Sequence, residues 1–230
     1  MKTVAIIQAR YTSTRLPGKV LMKLAGKPVL THIIDRLRSI SEVDEICLSI
    51  PDGQAQQPLL DFAQNIESLT VSRGPDEDLV RRFTNAVNDT KADIFIRAWA
   101  DCPAINPTAV LALISSFRSE DVAYAEIPYD SGYPEGYEAQ VFSADIIRTI
   151  DKEATTPSDR ELVTPYMTRK QERFPCLRLH RAPSNNNIKL LLDTANDYEK
   201  LKQIFATLYP ISPLFGLTEI EEYAKNHDVG

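Results

Sequence analysis

The chain of 230 residues is 43% hydrophobic and 25% charged, a composition that supports one folded core and excludes intrinsic disorder as the default state. Its formal net charge of −6 weighs against nucleic acid as the main partner. No stretch approaches the roughly 18 consecutive apolar residues of a membrane helix, and the N-terminus lacks a signal-peptide pattern, so a cytoplasmic protein with no membrane partner is expected.

Residues 3–9, TVAIIQA, form a continuous apolar run, the pattern of a strand buried on both faces. The chain then turns polar before apolar residues at helical spacing predict a helix over 28–40, with Pro28 at its start. Strands are predicted at 44–50 and 68–72, with a helix at 58–66 between them. A helix over 75–89 follows, its acid-rich first turn suited to the positive end of the helix dipole. ADIFIRAWA (92–100) reads as a further strand and 107–119 as a helix. Such alternation predicts an α/β fold, a mostly parallel sheet flanked by helices.

Beyond residue 121 the rhythm weakens. Residues 125–143 are rich in turn formers and aromatics and enter a strand near 139–142. A short helix is expected at 143–154, and Ser158 with Glu161 has capping-box spacing at the head of 157–170. Two strand-like segments, 176–182 and 188–194, flank a turn PSNNN, and helices near 196–207 and 217–226 complete the chain. With no repeat and no long linker, residues 1–230 read as one domain carrying an inserted subregion at about 125–185.

Three dispersed cysteines, Cys47, Cys102 and Cys176, form no CxxC pair and indicate neither a disulfide framework nor a zinc site. Charge is unevenly spread: the first 34 residues hold six of the 26 basic side chains and none of the 32 acids. A buried strand that ends in a polar loop and then a helix puts the loop at the carboxyl edge of the sheet, where open α/β folds bind ligands. Pro17 and Gly18 shape the turn, and Thr12, Ser13 and Thr14 offer hydroxyls and backbone N–H groups. Arg10, Arg15 and Lys19 add positive charge, completing a set suited to a triphosphate. The loop matches neither GxxxxGK[ST] nor GxGxxG, and a solvated basic loop is the plainer alternative.

ARYTSTRLPGKVL followed by GKPVL resembles the opening signature of the sugar-acid cytidylyltransferases, the family of the CMP-Kdo and CMP-neuraminate synthetases, and within it the spore-coat polysaccharide F type. SRGPDEDLVRRF (72–83), IRAWADCPAINP (96–107), YPEGYEAQVFS (133–143), PSDRELVTPYMTR (157–169) and LLDTANDYEKLKQIF (191–205) look like that branch's blocks, in its order. The resemblance implies a nucleotide-diphospho-sugar-transferase-type, Rossmann-like fold. It also implies Mg²⁺-dependent transfer of CMP from CTP to an acidic or amino sugar, with pyrophosphate released, for surface polysaccharide synthesis. A homodimer is expected on the same ground.

Residue roles follow from the same resemblance. Arg15 and Lys19 would offset the charge that develops on departing pyrophosphate, and Asp101 and Asp193 would hold Mg²⁺, with Asp101 also catalytic. Each Asp directly follows an apolar strand, where an Asp also commonly caps the next turn. Nucleotide contacts are expected from Ala9, Arg10, Thr12, Ser13, Thr14, Arg73, Arg97 and Ala100. Arg97, a charge inside an apolar run, needs a partner, either an internal carboxylate such as Asp78 or a ligand phosphate. Tyr133, Glu135 and Glu138 are expected to shape the acceptor pocket, although a loop at a dimer interface has the same composition. Arg160 and Arg169 are candidates for an acceptor carboxylate. Glu161 reads as a capping-box partner, Asp197 as a first-turn helix acid, and Cys102, with no His beside it, as a structural thiol.

Three positions depart from the family pattern. Ala100 stands for the usual Gly and Thr12 for a small Gly, adding bulk near the nucleotide, and Gln140 stands for an acid, removing charge on the acceptor side. Two further functions share parts of this pattern: a glycosyltransferase of the same fold, for which no DxD motif is present, and a non-catalytic nucleotide-binding protein.

Overall fold

Val4, Ala5, Ile6 and Ile7 of β1 (Thr3–Gln8) are fully buried, as the unbroken apolar run predicts for a central strand. The computed structural model describes residues 1–182 and 188–227, so the expected PSNNN turn at 183–187 lies outside the described residues. A short hairpin of β2 (Lys23–Leu24) and β3 (Lys27–Pro28) leads into α1 (Val29–Arg38). Then come β4 (Glu45–Pro51), α2 (Gln57–Gln64), β5 (Leu69–Gly74), α3 (Leu79–Thr90), β6 (Ile94–Trp99) and α4 (Pro107–Ser119).

The rest of the chain adds β7 (Tyr124–Ile127), β8 (Ala139–Ser143), α5 (Ala144–Glu153), α6 (Pro157–Leu162), α7 (Thr164–Thr168), β9 (Cys176–Arg178), α8 (Ala195–Leu208) and α9 (Leu217–Ala224). Among the described residues, the main sheet runs β5-β4-β1-β6-β8-β7-β9, and β8 alone runs against the others. The sheet is therefore mostly parallel, as predicted.

Alternate residues of each central strand feed two cores. Ala5 and Ile7 pack with α1, α2, α4 and α8 on one face, while Val4 and Ile6 pack with α3, α5 and α7 on the other. On the second face, Phe83, Phe95, Phe142 and Tyr124 form a row with successive ring centroids 5.5, 5.0 and 5.6 Å apart. No helix among the described residues is long and apolar enough to cross a membrane.

Several local expectations are corrected. The segment read as irregular from residue 125 contains β7, a strand too short to show a period of its own. Residues 188–194 form no strand; Ile188, Leu190 and Leu192 are buried, but the backbone forms a single isolated bridge, Glu135 with Lys189, and a further bond, from the Leu192 N–H to the Asp101 carbonyl, in place of a ladder. The acids ahead of α3 precede the helix, where Asp78 is the N-cap and its side chain accepts from the Arg81 N–H. The cap of α6 is Thr156, accepting from the Asp159 N–H at 3.2 Å, and not Ser158 with Glu161.

What the topology positions is the site. From β1 the chain builds outward through β4 to β5, then returns to the other side of β1 as β6. The strand order thus reverses between β1 and β6, whose register sets Gln8 beside Trp99, and the loops leaving both strands emerge at the same edge.

Candidate active site

A cleft of about 330 Å³ opens at this edge. Its walls come from the loop after β1, the end of β6, the start of α3, the end of α6 and the segment ahead of α8. The loop after β1 is closed by the Gly18 N–H, which donates to the Tyr11 carbonyl at 3.0 Å. Gly18 has φ 70°, and a Cβ there would sit 3.2 Å from the Tyr11 ring, so this turn needs glycine both for its backbone and for space. The turn delivers Lys19 into the cleft floor.

The Lys19 ammonium is the centre of the site. Only 7% exposed, the residue donates to Asp101 Oδ2 at 2.8 Å, to the Leu192 carbonyl at 2.7 Å and to Asp193 Oδ1 at 3.4 Å. The exposed guanidinium of Arg15 pairs with the other Asp193 oxygen. Backbone bonds hold the two carboxylates in register, since the Leu192 N–H donates to the Asp101 carbonyl at 2.8 Å. Asp197 fixes the other side: its carboxylate accepts from the N–H groups of Asp193 and Thr194 and completes a capping box on α8, the helix-acid role expected of it.

Of the sequence candidates, Ala9, Arg10, Ser13, Thr14, Arg15, Lys19, Arg97, Ala100, Asp101 and Asp193 line this one cleft. Seven others lie elsewhere. Thr12 Oγ1 turns outward to accept from Gln56 Nε2 at 3.5 Å, and Arg73 reaches the Gly53 carbonyl and Asp52. Tyr133 packs against Tyr137 and Arg181, and the Glu135 backbone bridges to residues 188–190.

Glu138 accepts from the Gly136 N–H at 2.7 Å, and burial holds its carboxyl above the ordinary range, with Glu135 and Asp101 adding to the rise. Arg160 is spent inside the protein on Asp78, Asp151 and the carbonyls of residues 151 and 154, which leaves it no fork for an acceptor carboxylate. Arg169 is likewise engaged, by Asp159 at 2.5 Å.

Arg97 corrects a pairing. Asp78 belongs to Arg160, and Arg97 instead donates to Gln8 Oε1 at 2.8 Å, Gln140 Oε1 at 3.1 Å and the Leu162 carbonyl at 3.2 Å. That carbonyl is aimed by Val163, a buried residue at φ 71°, ψ −62°, in a strained γ-turn between α6 and α7. Gln8, Asp76, Arg82, Trp99, Glu161 and Leu162 also line the cleft and were missed by the sequence reading. For Arg82 a signal existed: it falls on the apolar stripe of α3, between Leu79 and Ala86 at helical spacing.

Cys102 is buried beside Asp101, and burial raises its thiol well above the ordinary value, so it holds no thiolate for covalent chemistry. Metal donors are confined to a pair. Among the described residues no group of three or more His, Cys, Asp or Glu side chains converges as a cage. Two carboxylates meeting on one cation, here the Lys19 ammonium, are nonetheless the protein share that Mg²⁺ takes when substrate phosphates and water complete its shell. The residues present fit such an ion.

Comparison with known proteins agrees with this geometry. A cytidylyltransferase family model matches residues 4–227. The chain is 27% identical over 210 residues to the spore coat polysaccharide biosynthesis protein SpsF of Bacillus subtilis, covering 87% of this chain and 85% of that protein. It is 26% identical over 164 residues to a 3-deoxy-manno-octulosonate cytidylyltransferase of Hydrogenovibrio crunogenus, covering 71% of this chain and 61% of that enzyme.

Among solved structures, a cytidylyltransferase from Leptospira borgpetersenii superposes with a TM-score of 0.90 at 24% identity, over 98% of this chain and 94% of that one. A CMP:2-keto-3-deoxy-manno-octonic acid synthetase complexed with CTP gives a TM-score of 0.69 at 19% identity, over 90% and 100% of the two chains. These structural likenesses carry the fold. The chain belongs to the cytidylyltransferase family and is a nucleotidyltransferase.

Proposed function

We propose that this cleft transfers CMP from CTP to an acidic or amino sugar, for the synthesis of a surface polysaccharide or glycan. The observation that carries the reading is the convergence of Lys19, Asp101 and Asp193 beneath a cationic loop at the strand-order switch. An acceptor hydroxyl oxygen forms a bond to the α-phosphorus as its proton is given up to solvent, and the bond from that phosphorus to the pyrophosphate oxygen breaks, releasing pyrophosphate. Lys19 and Arg15 offset the charge that gathers on the leaving oxygens, and the hydroxyls of Ser13 and Thr14 with Arg10 hold the phosphates in place. Asp101 and Asp193 would hold a divalent cation, Mg²⁺ in our reading, which when bound supplies Lewis-acid polarisation of the phosphoryl oxygens.

Tyr133, Glu135 and Glu138 lie outside the cleft lining. We assign them to the acceptor side because the Glu135 backbone is bonded to residues 188 and 190, on the segment whose Leu192 is bonded to Asp101 and which leads into Asp193. We further propose a cytoplasmic homodimer in which residues 125–185 contribute dimer and acceptor contacts.

The test is pyrophosphate release with Mg²⁺ and each of the four nucleoside triphosphates, against a panel of 3-deoxy-sugar acids, amino sugars and sugar phosphates. Release confined to CTP and one acceptor is the expected result, abolished by Asp101→Ala and by Asp193→Ala. Near-normal release in either variant removes that residue from the proposed metal site. CTP binding without release for any pair would favour a nucleotide-binding protein.

A further inference from the structure

A second charged centre in the cleft has no part in the chemistry proposed for Lys19, Arg15, Asp101 and Asp193. Arg82 is 5% exposed, yet its guanidinium makes no hydrogen bond among the described residues. Its Nε has no partner, and the nearest carboxylate, Asp76, is 3.8 Å away and 50% exposed. The side chain is nevertheless held in place. A Cβ at Gly74 would come within 3.1 Å of Arg82 Cγ, so glycine there gives the arginine stem its seat.

Arg97, 6% exposed, is hydrogen-bonded only to neutral oxygens. The reason lies in a row across four strands, where register sets Arg97 beside Gln140, Gln140 beside Glu126 and Glu126 beside Arg178. Glu126 is paired with Arg178 at 2.9 Å. Gln140 turns its carbonyl to Arg97 and donates its amide to Glu126 at 3.1 Å, so a neutral group separates the arginine from the carboxylate. An acid at position 140, which the family pattern leads one to expect, would have put a negative charge against Arg97.

Two buried guanidiniums therefore line one wall of the cleft, Arg97 bonded to no carboxylate and Arg82 paired only loosely with the half-exposed Asp76 at 3.8 Å. Burial pushes both down, to about 10 for Arg82 and about 9 for Arg97, and the charge of Arg82 depresses Arg97 further. Buried cations so weakly paired are costly, and two of them lining one cleft favour an incoming anion. We infer that Arg82 and Arg97 form a subsite for an oxyanion of a substrate, a carboxylate or a phosphate group, and that Gln140 keeps it open by denying Arg97 an internal carboxylate. The inference rests on this cleft being the substrate site, as proposed above, but not on turnover.

Trp99 makes the subsite measurable. It is the chain's single tryptophan, and its ring centroid lies 4.7 Å from the Arg97 guanidinium carbon. Sodium sulfate titrated against the full chain, with sodium chloride at matched ionic strength as control, should change Trp99 fluorescence saturably and raise the melting temperature. Arg82→Gln, Arg97→Lys and Gln140→Glu should each weaken the apparent sulfate affinity at least about tenfold. Arg82→Gln should also melt no lower than wild type, because it removes a buried charge whose pairing with the half-exposed Asp76 is loose.

Displacement of sulfate by CTP but not by CMP or sugar acids assigns the group to the nucleotide's outer phosphates. Displacement by 3-deoxy-sugar acids assigns it to an acceptor carboxylate. A sulfate response that is absent, or equal in wild type and Arg82→Gln, overturns the subsite, as does an Arg82→Gln variant that melts several degrees lower. A wild-type response in Gln140→Glu overturns the role of Gln140. Loss of pyrophosphate release with a preserved sulfate response would refute the transferase reading and leave the subsite standing.

Discussion

Replacing Lys19 with Met keeps most of the side chain's volume and removes the charge on which Asp101 and Asp193 converge. Three oxygens lose their donor, at 2.8, 2.7 and 3.4 Å, and two carboxylates are left facing one another. Breaking a fully buried pair by removing one partner costs about 3–5 kcal/mol, and breaking an exposed one about 0–1 kcal/mol. Side-chain exposures of 8% for Lys19, 27% for Asp101 and 13% for Asp193 place this cluster between those limits, at about 2 kcal/mol.

For a chain of this size, 1 kcal/mol moves the melting temperature by about 2–4 °C, so the metal-free variant should melt about 4–8 °C below wild type by differential scanning fluorimetry. Mg²⁺ should return part of that loss, because ligand at about 100 times its Kd stabilises by about 2.7 kcal/mol and the two carboxylates no longer share an ammonium. Pyrophosphate release should fall at least about a hundredfold. A metal-free melt within about 1 °C of wild type would refute the view that Lys19 holds the two carboxylates together.

Gly136 has φ 100°, and a Cβ there would lie 2.7 Å from the Leu190 carbonyl carbon, so Gly136→Ala should cost at least about 2 kcal/mol and lower the melting temperature; an unchanged melt would show that residues 135–138 yield freely. Glu138 has a folded-state pKa raised above the unfolded value, so it takes up protons on folding, and its ionisation weakens the fold as pH rises through that raised value. Glu138→Gln should therefore melt higher than wild type at pH 7.5, with the difference shrinking as pH falls toward the ordinary Glu value of 4.5; a gain that is flat with pH would contradict this. Cys102→Ala should retain pyrophosphate release within about threefold, and native enzyme should resist iodoacetamide at pH 8, because the buried thiol is held protonated. Arg160→Met should lower stability without raising the acceptor KM, since its donors are already engaged by Asp78 and Asp151; a KM effect alone would return Arg160 to the acceptor pocket.

How far the sequence carries the structure depends on the kind of signal each element leaves. A strand buried on both faces announces itself by an unbroken apolar run, as in β1, and α4 occupies the predicted range because Pro107 opens it and Asn106 caps it. β7 is only four residues long and gains its place from pairing with β8 and β9, information that is nowhere local. Residues 188–192 mislead in the opposite direction. Their alternating burial is that of a strand, but the backbone bonds are used on Glu135 and Asp101, which tie the segment to the site instead of to a ladder.

In the site, charge against an apolar or acid-free background made Lys19, Arg15 and Arg97 legible, whereas Arg160 had the same chemistry and a different fate. Whether an arginine faces a ligand or an internal acid is decided by long-range pairs such as Asp78 with Arg160, which join positions 82 residues apart. Glu161 shows the converse, a residue whose spacing suggested a cap and whose place is the cleft wall.

The cleft separates two electrostatic tasks that a chain of net charge −6 must perform to accept a polyanion. Around Lys19 the charges are balanced, two cations against two carboxylates, so this centre adds little field of its own. It can exchange partners when phosphates arrive with a divalent cation. Around Arg82 and Arg97 two cations face only the half-exposed Asp76, and burial keeps the arginines from being screened by salt. The attraction for an incoming anion therefore comes from the second centre and from the exposed Arg10, while the groups proposed for chemistry rest in a mutually neutralised state until substrate redistributes their bonds. This division predicts that salt weakens capture through Arg10 more strongly than it weakens the oxyanion subsite, because only the former is exposed to the ionic atmosphere. The slopes of log affinity against log salt for wild type and an Arg10→Gln variant would measure it directly. Equal slopes would mean that the exposed loop contributes no long-range attraction and that the buried pair alone draws the substrate in.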